Sequence, residues 1–402
     1  MTEDETTEVR QAFETALLKL DDHPVWRVVC ARAQAFSLLI GCPSAPATPL
    51  DCITGIRIHM SSSASHNGHG GAESRERTGN RSSNKRTHED YTVAWICPLE
   101  VEQIAALEML DTQHERLPQP NGDENVYTLG AISSHNVVIA GLPRAGNCSA
   151  ATVVTQARGT FPNLRFCLLV GIGGGVPVTT DNGMIRLGDI VVSKPAATHS
   201  GVVQYDHGKA QEGYFQRTGA LAAPSALLLG AAQALAAHRA RSRADPLVRN
   251  MERIDTTIRG LRKYKHPGLS RDYLYRPDYV HKIAGQSCLE CGCDPAQRIQ
   301  RGIEQDKDDP FVVVHRGTIA SGELVMRSGK LRDDLAKQHD VLCFETEAAG
   351  VLTNFPCMVI RGISDYSDSH KNDEWQAYAA AAAAAYAREL FIHMPINESH
   401  ER

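Results

Sequence analysis

The stretch Cys343–Asp368, CFETEAAGVLTNFPCMVIRGISDYSD, constrains the fold more than any other part of this 402-residue chain. Within it, Pro356–Ile363 is an apolar run with the length of one buried strand. It ends in Ser364-Asp365, with Asp368 following shortly after. In open α/β sheets ligands bind beyond the carboxyl ends of strands, so a carboxylate emerging there is a candidate site residue. Upstream, Glu345 and Glu347 stand where an apolar segment turns into an Ala-rich helix. Burying unpaired acids is expensive, so acids at such a junction cap a helix or hold a ligand. A cap or a surface turn would account for one such acid. Three of them at two neighbouring strand ends favour a binding site.

Composition sets the outer bounds. Hydrophobic residues at 42% and charged ones at 22% fit a soluble globular protein. A net charge of −5 argues against a nucleic-acid or membrane-surface partner. No apolar run approaches the roughly 20 residues that span a bilayer, and the N-terminus is acidic where a secretory signal would be basic. Eleven scattered cysteines fit a reducing compartment, so a cytoplasmic location is expected, with the nucleus as the alternative.

Residues 1–59 read as an uncertain helical segment, with an apolar stripe at Val9, Phe13, Ala16, Leu17 and Leu20. Met60 is a second candidate start. Residues 60–90 are Ser/Gly-rich and then basic, a composition that cannot offset its ordering entropy, and are expected to be a disordered linker. The folded domain is expected over 91–395, with an insertion at about 240–310. Thr92–Cys97 reads as a strand and Pro98–Leu110 as an amphipathic helix opening with Glu100 and Glu102, for which a favourable helix-dipole contact is the plain explanation. Tyr127–Ile132 and His135–Ala140 read as a hairpin. Phe166–Val170 is a strand that runs into Gly171-Ile-Gly-Gly-Gly175, where the backbone must approach something closely or adopt positive φ. Pro177 follows where a dinucleotide fingerprint would open a helix, which makes that reading poor. Strands alternating with helices, with glycines and acids at strand ends, indicate an α/β fold: a three-layer α/β/α domain around a mixed, partly closed sheet.

The insertion holds Cys288-Leu-Glu-Cys291-Gly-Cys293 with His281 nearby, a set that could furnish four zinc ligands. No second Cys-x-x-Cys exists, so free thiols are expected, with no metal and no cofactor.

On five motifs in order, residues 91 to about 393 resemble the nucleoside phosphorylase/nucleosidase superfamily, in the fungal branch similar to methylthioadenosine/adenosylhomocysteine nucleosidase. The motifs are Ile96-Cys-Pro-Leu-Glu-Val-Glu102; Val170-Gly-Ile-Gly-Gly-Gly175; Gly188-Asp-Ile-Val-Val-Ser193; Gly317-Thr-Ile-Ala-Ser-Gly322 with Phe344-Glu-Thr-Glu-Ala348; and Arg361-Gly-Ile-Ser-Asp365. Val203–Asp206 and Asp368–Lys371 point to the fungal subgroup. The resemblance implies that Asp365 protonates the purine N7, oriented by Ser364. It implies that Glu347 holds the ribose hydroxyls and Glu102 positions the attacking water. Gly171, Gly173 and Gly174 would line the ribose and base, with Ser321 and Gly322 beside the purine. Thr346 stands where the family usually has Met, which puts ribose affinity and 5′ preference in question.

Phosphorolysis needs an anion site, and the positions where bacterial phosphorylases of the family carry Arg and Ser read Leu169 and Ile172. Arg144, before a helix N-terminus, is either an anion contact or a solvated loop arginine. The expected activity is a purine nucleoside N-ribosidase. A phosphorylase with phosphate as co-substrate, or a nucleoside-binding signalling module without turnover, are the alternatives. The expected partner is a small purine nucleoside, with neither nucleic acid nor membrane, and the resemblance implies a homo-oligomer.

Overall fold

Cys357–Asp365 is buried at every position and forms the central strand of the domain. The computed structural model describes residues 86–396 except 197, 284 and 303–310. The expected helical segment 1–59 and nearly all of the expected linker therefore lie outside the described residues. Residues 86–90 belong to the domain: Asn163 Nδ2 donates to the Glu89 carbonyl at 2.8 Å and the His88 ring packs 5.4 Å from Phe161.

In chain order the strands are β1 Val93–Cys97, β2 Thr112–Gln113, β3 Tyr127–Ile132, β4 His135–Gly141, β5 Phe166–Gly175, β6 Thr179–Thr180, β7 Gly183–Met184, β8 Ile190–Ser193, β9 Val202–Gln204, β10 Gly208–Gln211, β11 Tyr214–Arg217, β12 Val314–Ser321, β13 Val341–Glu345 and β14 Cys357–Asp365. The helices are α1 Glu100–Glu108, α2 Asn147–Thr160, α3 Ala226–Arg239, α4 Pro246–Met251, α5 Gly329–His339, α6 Ala348–Asn354 and α7 Gln376–Ile392. The main sheet runs β13-β12-β8-β14-β5-β1-β4-β3-β2, and β13 also pairs antiparallel with β5. That last pairing closes β13, β12, β8, β14 and β5 into a five-stranded barrel, with the remaining strands extending from it as an open sheet.

Side chains on β1 alternate between two cores. Val93, Trp95 and Cys97 join one with α1, α3, α4 and α7, whereas Ala94 and Ile96 join the other with α2 and α6. This places helices on both faces of a mixed sheet. Trp95 stacks on Phe391 of α7 at 6.0 Å, and burying one such side chain contributes roughly 1.5–3 kcal/mol. The alanines of α7 let it lie close to β14; a Cβ on Gly362 would overlap the Ala379 carbonyl.

The strand beginning at Phe166 does not stop at Val170 but continues through all the glycines to Gly175. None of Gly171, Gly173, Gly174 or Gly175 has positive φ. Their purpose is close approach. β14 pairs Arg361 with Gly171 and Asp365 with Gly174, and β13 pairs Phe344 with Gly174. The expected short helices of the insertion appear as α4 and three 3-10 turns. Among the described residues, no helix is long and apolar enough to cross a membrane.

Candidate active site

The carboxyl end of β14, the β13–α6 junction and the start of α1 meet at one cleft of about 180 Å³. Its lining includes Glu102, Gly173, Gly174, Thr346, Glu347, Ser364 and Asp365, together with Arg361 and Lys371. Leu324, Val325, Met326 and Phe344 supply apolar wall, and Tyr205 braces Phe344 edge-on at 5.6 Å.

Glu102 lies in the first turn of α1, but it is buried, unlike the exposed Glu100. Its Oε2 accepts the Leu99 N–H at 2.5 Å and its Oε1 the Ile172 N–H at 2.7 Å. Gly171 makes this approach possible, since a Cβ there would overlap Glu102 Oε1 and crowd Arg361 Nη1. Burial pushes the Glu102 carboxyl up to about 8; Arg361 and the two N–H donors oppose that shift, and the nearby Glu347 charge adds to it.

Arg361 sits behind the cleft with a side chain only 1% exposed. It donates from Nη2 to Glu345 Oε2 at 2.5 Å and to Glu347 Oε2 at 3.2 Å, and from Nη1 to the Ile172 carbonyl at 3.2 Å. Burial alone would lower its pKa, but Glu345, Glu347 and Glu102 outweigh burial and raise it. Glu345 caps α6, accepting the Glu347 and Ala348 N–H groups at 3.1 and 2.9 Å. Glu347 Oε1 accepts the Gly146 N–H at 3.2 Å and the Thr346 hydroxyl. Three acids thus share one guanidinium.

Asp365 accepts from Ser364 Oγ at 3.0 Å, from the Ser367 N–H at 2.9 Å and from Lys371 Nζ at 2.5 Å. Ser364 also reaches the Gly173 carbonyl at 3.4 Å, which fixes it between β14 and β5.

Not every residue singled out from the sequence lines the cleft. Gly171 backs Glu102 and Arg361 instead. Ser321 is fully buried, and its Oγ accepts the Ala349 N–H at 2.9 Å at the start of α6. Gly322 packs against Tyr205 and Asp206, whereas the following residues Leu324–Met326 line the cleft. Arg144 is exposed and lines a neighbouring cavity of about 780 Å³, which meets the cleft at Ala145. The sequence reading gave no role to Arg361, Lys371 or Ser367. An arginine inside the apolar run Met358–Ile363 was the available signal for the first, because a buried cation requires acids around it.

The Phosphorylase superfamily model matches residues 92–392. A nucleotide-binding leucine-rich repeat (NLR)-like protein from Hyaloscypha variabilis is 44% identical over 303 residues, covering 75% of this chain and 29% of that protein. The ATP nucleosidase Cap17 of Escherichia coli is 38% identical over 88 residues, covering 20% of this chain and 17% of that one. The chain therefore spans less than a third of the length of these relatives. Among solved structures, futalosine hydrolase of Helicobacter pylori aligns with a TM-score of 0.49 at 16% identity, over 77% of this chain and 100% of that one. The 5′-methylthioadenosine/S-adenosylhomocysteine nucleosidase from Neisseria meningitidis gives 0.47 at 19% identity, over 75% and 98%. The match over residues 92–392 assigns the family: this chain belongs to the phosphorylase superfamily.

Proposed function

We propose that the protein is a purine nucleoside N-ribosidase, hydrolysing the N-glycosidic bond to free base and ribose. The observation that carries this reading is the convergence of Glu102, Glu347 and Asp365 on one cleft over the Arg361 cluster. Cleavage builds positive charge on the ribose and negative charge on the departing base. Carboxylates beside the sugar favour the former, and an acid at N7 relieves the latter. Glu347 holds the ribose hydroxyls. Glu102 takes a proton from the attacking water, and its pKa of about 8 suits a base working near neutrality. Asp365 first takes a proton from solvent and then delivers it to N7 of the departing base. All three of its present partners are donors, and Lys371, the most exposed of them at 21%, gives way at that step.

Water rather than phosphate is the nucleophile in this reading. Leu169 is fully buried in the core and Ile172 is apolar. The cleft's arginine, Arg361, is engaged by two carboxylates, and Lys371 by a third. The Arg361 guanidinium is therefore not free for an anion.

The neighbouring cavity and Arg144 support a second reading of the substrate: a nucleoside carrying a 5′ phosphate chain, such as ATP, with ribose at Glu347 and phosphates beyond Ala145. The name of the Escherichia coli relative supports it too. The NLR-like relative favours a place in signalling for either activity.

Adenosine, inosine, guanosine and ATP, each incubated in phosphate-free buffer, separate these readings. Free base with ribose, or with ribose triphosphate from ATP, is expected. Base release that requires added phosphate and yields ribose 1-phosphate would refute hydrolysis. Tight binding without release would make the protein a nucleoside-binding module.

A further inference from the structure

The chain brings three cysteines and two histidines together away from the cleft, joining two segments far apart in sequence. Cys288, Cys291 and Cys293 come from the insertion, as does His281, while His370 lies on the loop just after β14. We propose that His281, Cys288, Cys293 and His370 form a four-ligand zinc site that clasps the insertion to the loop carrying Lys371.

The spacing of the ligand atoms supports this. Zinc bonds of about 2.3 Å to sulfur and about 2.0–2.1 Å to nitrogen place tetrahedral ligand atoms roughly 3.3–3.8 Å apart. His281 Nδ1 and His370 Nδ1 are 3.3 Å apart. Cys288 Sγ is 3.7 Å from the first and 3.5 Å from the second. Cys293 Sγ is 3.4 Å from the first and 3.8 Å from the second. All of these ligand atoms lie within 4.8 Å of one another.

The outer partners are those a metal site needs. His281 Nε2 faces the Gln286 carbonyl at 3.0 Å and His370 Nε2 faces the Tyr279 carbonyl at 3.1 Å. A carbonyl only accepts, so both rings carry their proton on Nε2 and aim the Nδ1 lone pair inward. Metal-bound histidines are oriented in this way. Packing alone gives no reason for both rings to turn the same edge toward two thiols. Cys291 stands aside, 3.6 Å from His281 Nε2 and 3.4 Å from Cys293 Sγ, and is not a member of the set. Free thiols were the expectation from sequence because Cys-x-x-Cys had no second half. The missing ligand is His370, 77 residues beyond Cys293.

Binding releases the Cys288 and Cys293 thiol protons to solvent and fixes the loop from both sides. Tyr275 already stacks on His370 at 3.9 Å, and the His281 N–H donates to Ser369 Oγ at 2.9 Å. One residue further, Lys371 meets Asp365. The zinc is structural, since every ligand position is filled by protein and none is left for water or substrate.

Metal analysis of the full chain, prepared under reducing conditions with zinc supplied, tests the proposal. About one zinc per chain is expected. The Cys288→Ser/Cys293→Ser double variant should lose it and Cys291→Ser should keep it. Cobalt added to chelator-treated wild-type protein should give the visible bands of a tetrahedral ion and a thiolate-to-cobalt charge-transfer band, a readout that stands even where the double variant fails to fold. Chelation should lower the melting temperature. Substoichiometric zinc with all thiols reduced, zinc retained by the double variant, zinc lost from Cys291→Ser, or an intact mass short by two hydrogens would each overturn the site.

Discussion

Lys371 Nζ lies 2.5 Å from Asp365 Oδ2, so the acid proposed as proton donor is held by a cation from the loop that follows its own strand. A ligand nitrogen that approaches Asp365 competes with that ammonium for the same oxygen. The pair therefore ties substrate entry to movement of the loop end.

Asp365→Asn is expected to lower kcat by about 10²–10⁴-fold, roughly 3–5 kcal/mol of barrier, with KM changed much less. Asparagine keeps the size and can donate a hydrogen bond, but it cannot transfer a proton. A nitrophenyl riboside, whose leaving group departs without help, should lose far less. Equal loss on both substrates would mean that Asp365 only holds the site together.

Glu102 should be visible in two pH profiles. As the base for water it must be ionised, so kcat/KM should rise with pH through about 8, and Glu102→Gln should lack that rise. Its folded pKa stands above the usual carboxylate value. Between the two values the folded protein holds a proton that the unfolded chain has released, so stability falls as pH climbs toward about 8. Thermal melts of Glu102→Gln should show a flatter dependence over that window.

Arg361→Met removes the one cation shared by Glu345 and Glu347 and leaves buried acids uncompensated. A loss of about 3–5 kcal/mol is expected by denaturant titration at pH 8. Burial already raises the pKa of Glu102 and Glu345, so both protonate readily as pH falls and then no longer need the guanidinium. The deficit should shrink toward acid pH; a constant deficit would show that packing, not charge, is what was lost.

Gly174→Ala tests the close approach inside the barrel. The added methyl would overlap Ser367 Oγ and stand 2.7 Å from Asp365 Oδ1. Turnover is expected to fall at least tenfold, the equivalent of about 1.4 kcal/mol, while far-ultraviolet circular dichroism stays native. An unchanged kcat would show that Asp365 can shift without consequence.

Strand identity was largely legible in the residues. Apolar runs bounded by turn residues marked β1, β3, β4, β12 and β14, because burial on both faces leaves a continuous pattern. The acids at strand ends were legible for the same reason: a carboxylate there must have a partner. What could not be read were facts of closure. The glycine run reads as an interruption of β5 until β13 is placed across it, and that pairing joins Gly174 to Phe344 across the whole insertion. Ser321 stands beside the purine only by resemblance, and the start of α6 takes its hydroxyl. α5 is mostly polar, and its amphipathic pattern was passed over; the hairpin β10–β11 is exposed and has no apolar alternation to betray it.

β14, the last strand in sequence, lies between β5 and β8 in the middle of the sheet. During synthesis, β5 and β8 must wait with the gap between them unfilled until this segment leaves the ribosome. Both borders that it later fills then present unpaired backbone, a template for pairing with the wrong chain. The same segment carries Arg361 and Asp365, so the cation that pairs with the buried acids arrives together with the proposed proton donor. A fragment of the domain that stops short of this segment should not fold, and yield in cells should depend strongly on chaperone supply until the segment is in place.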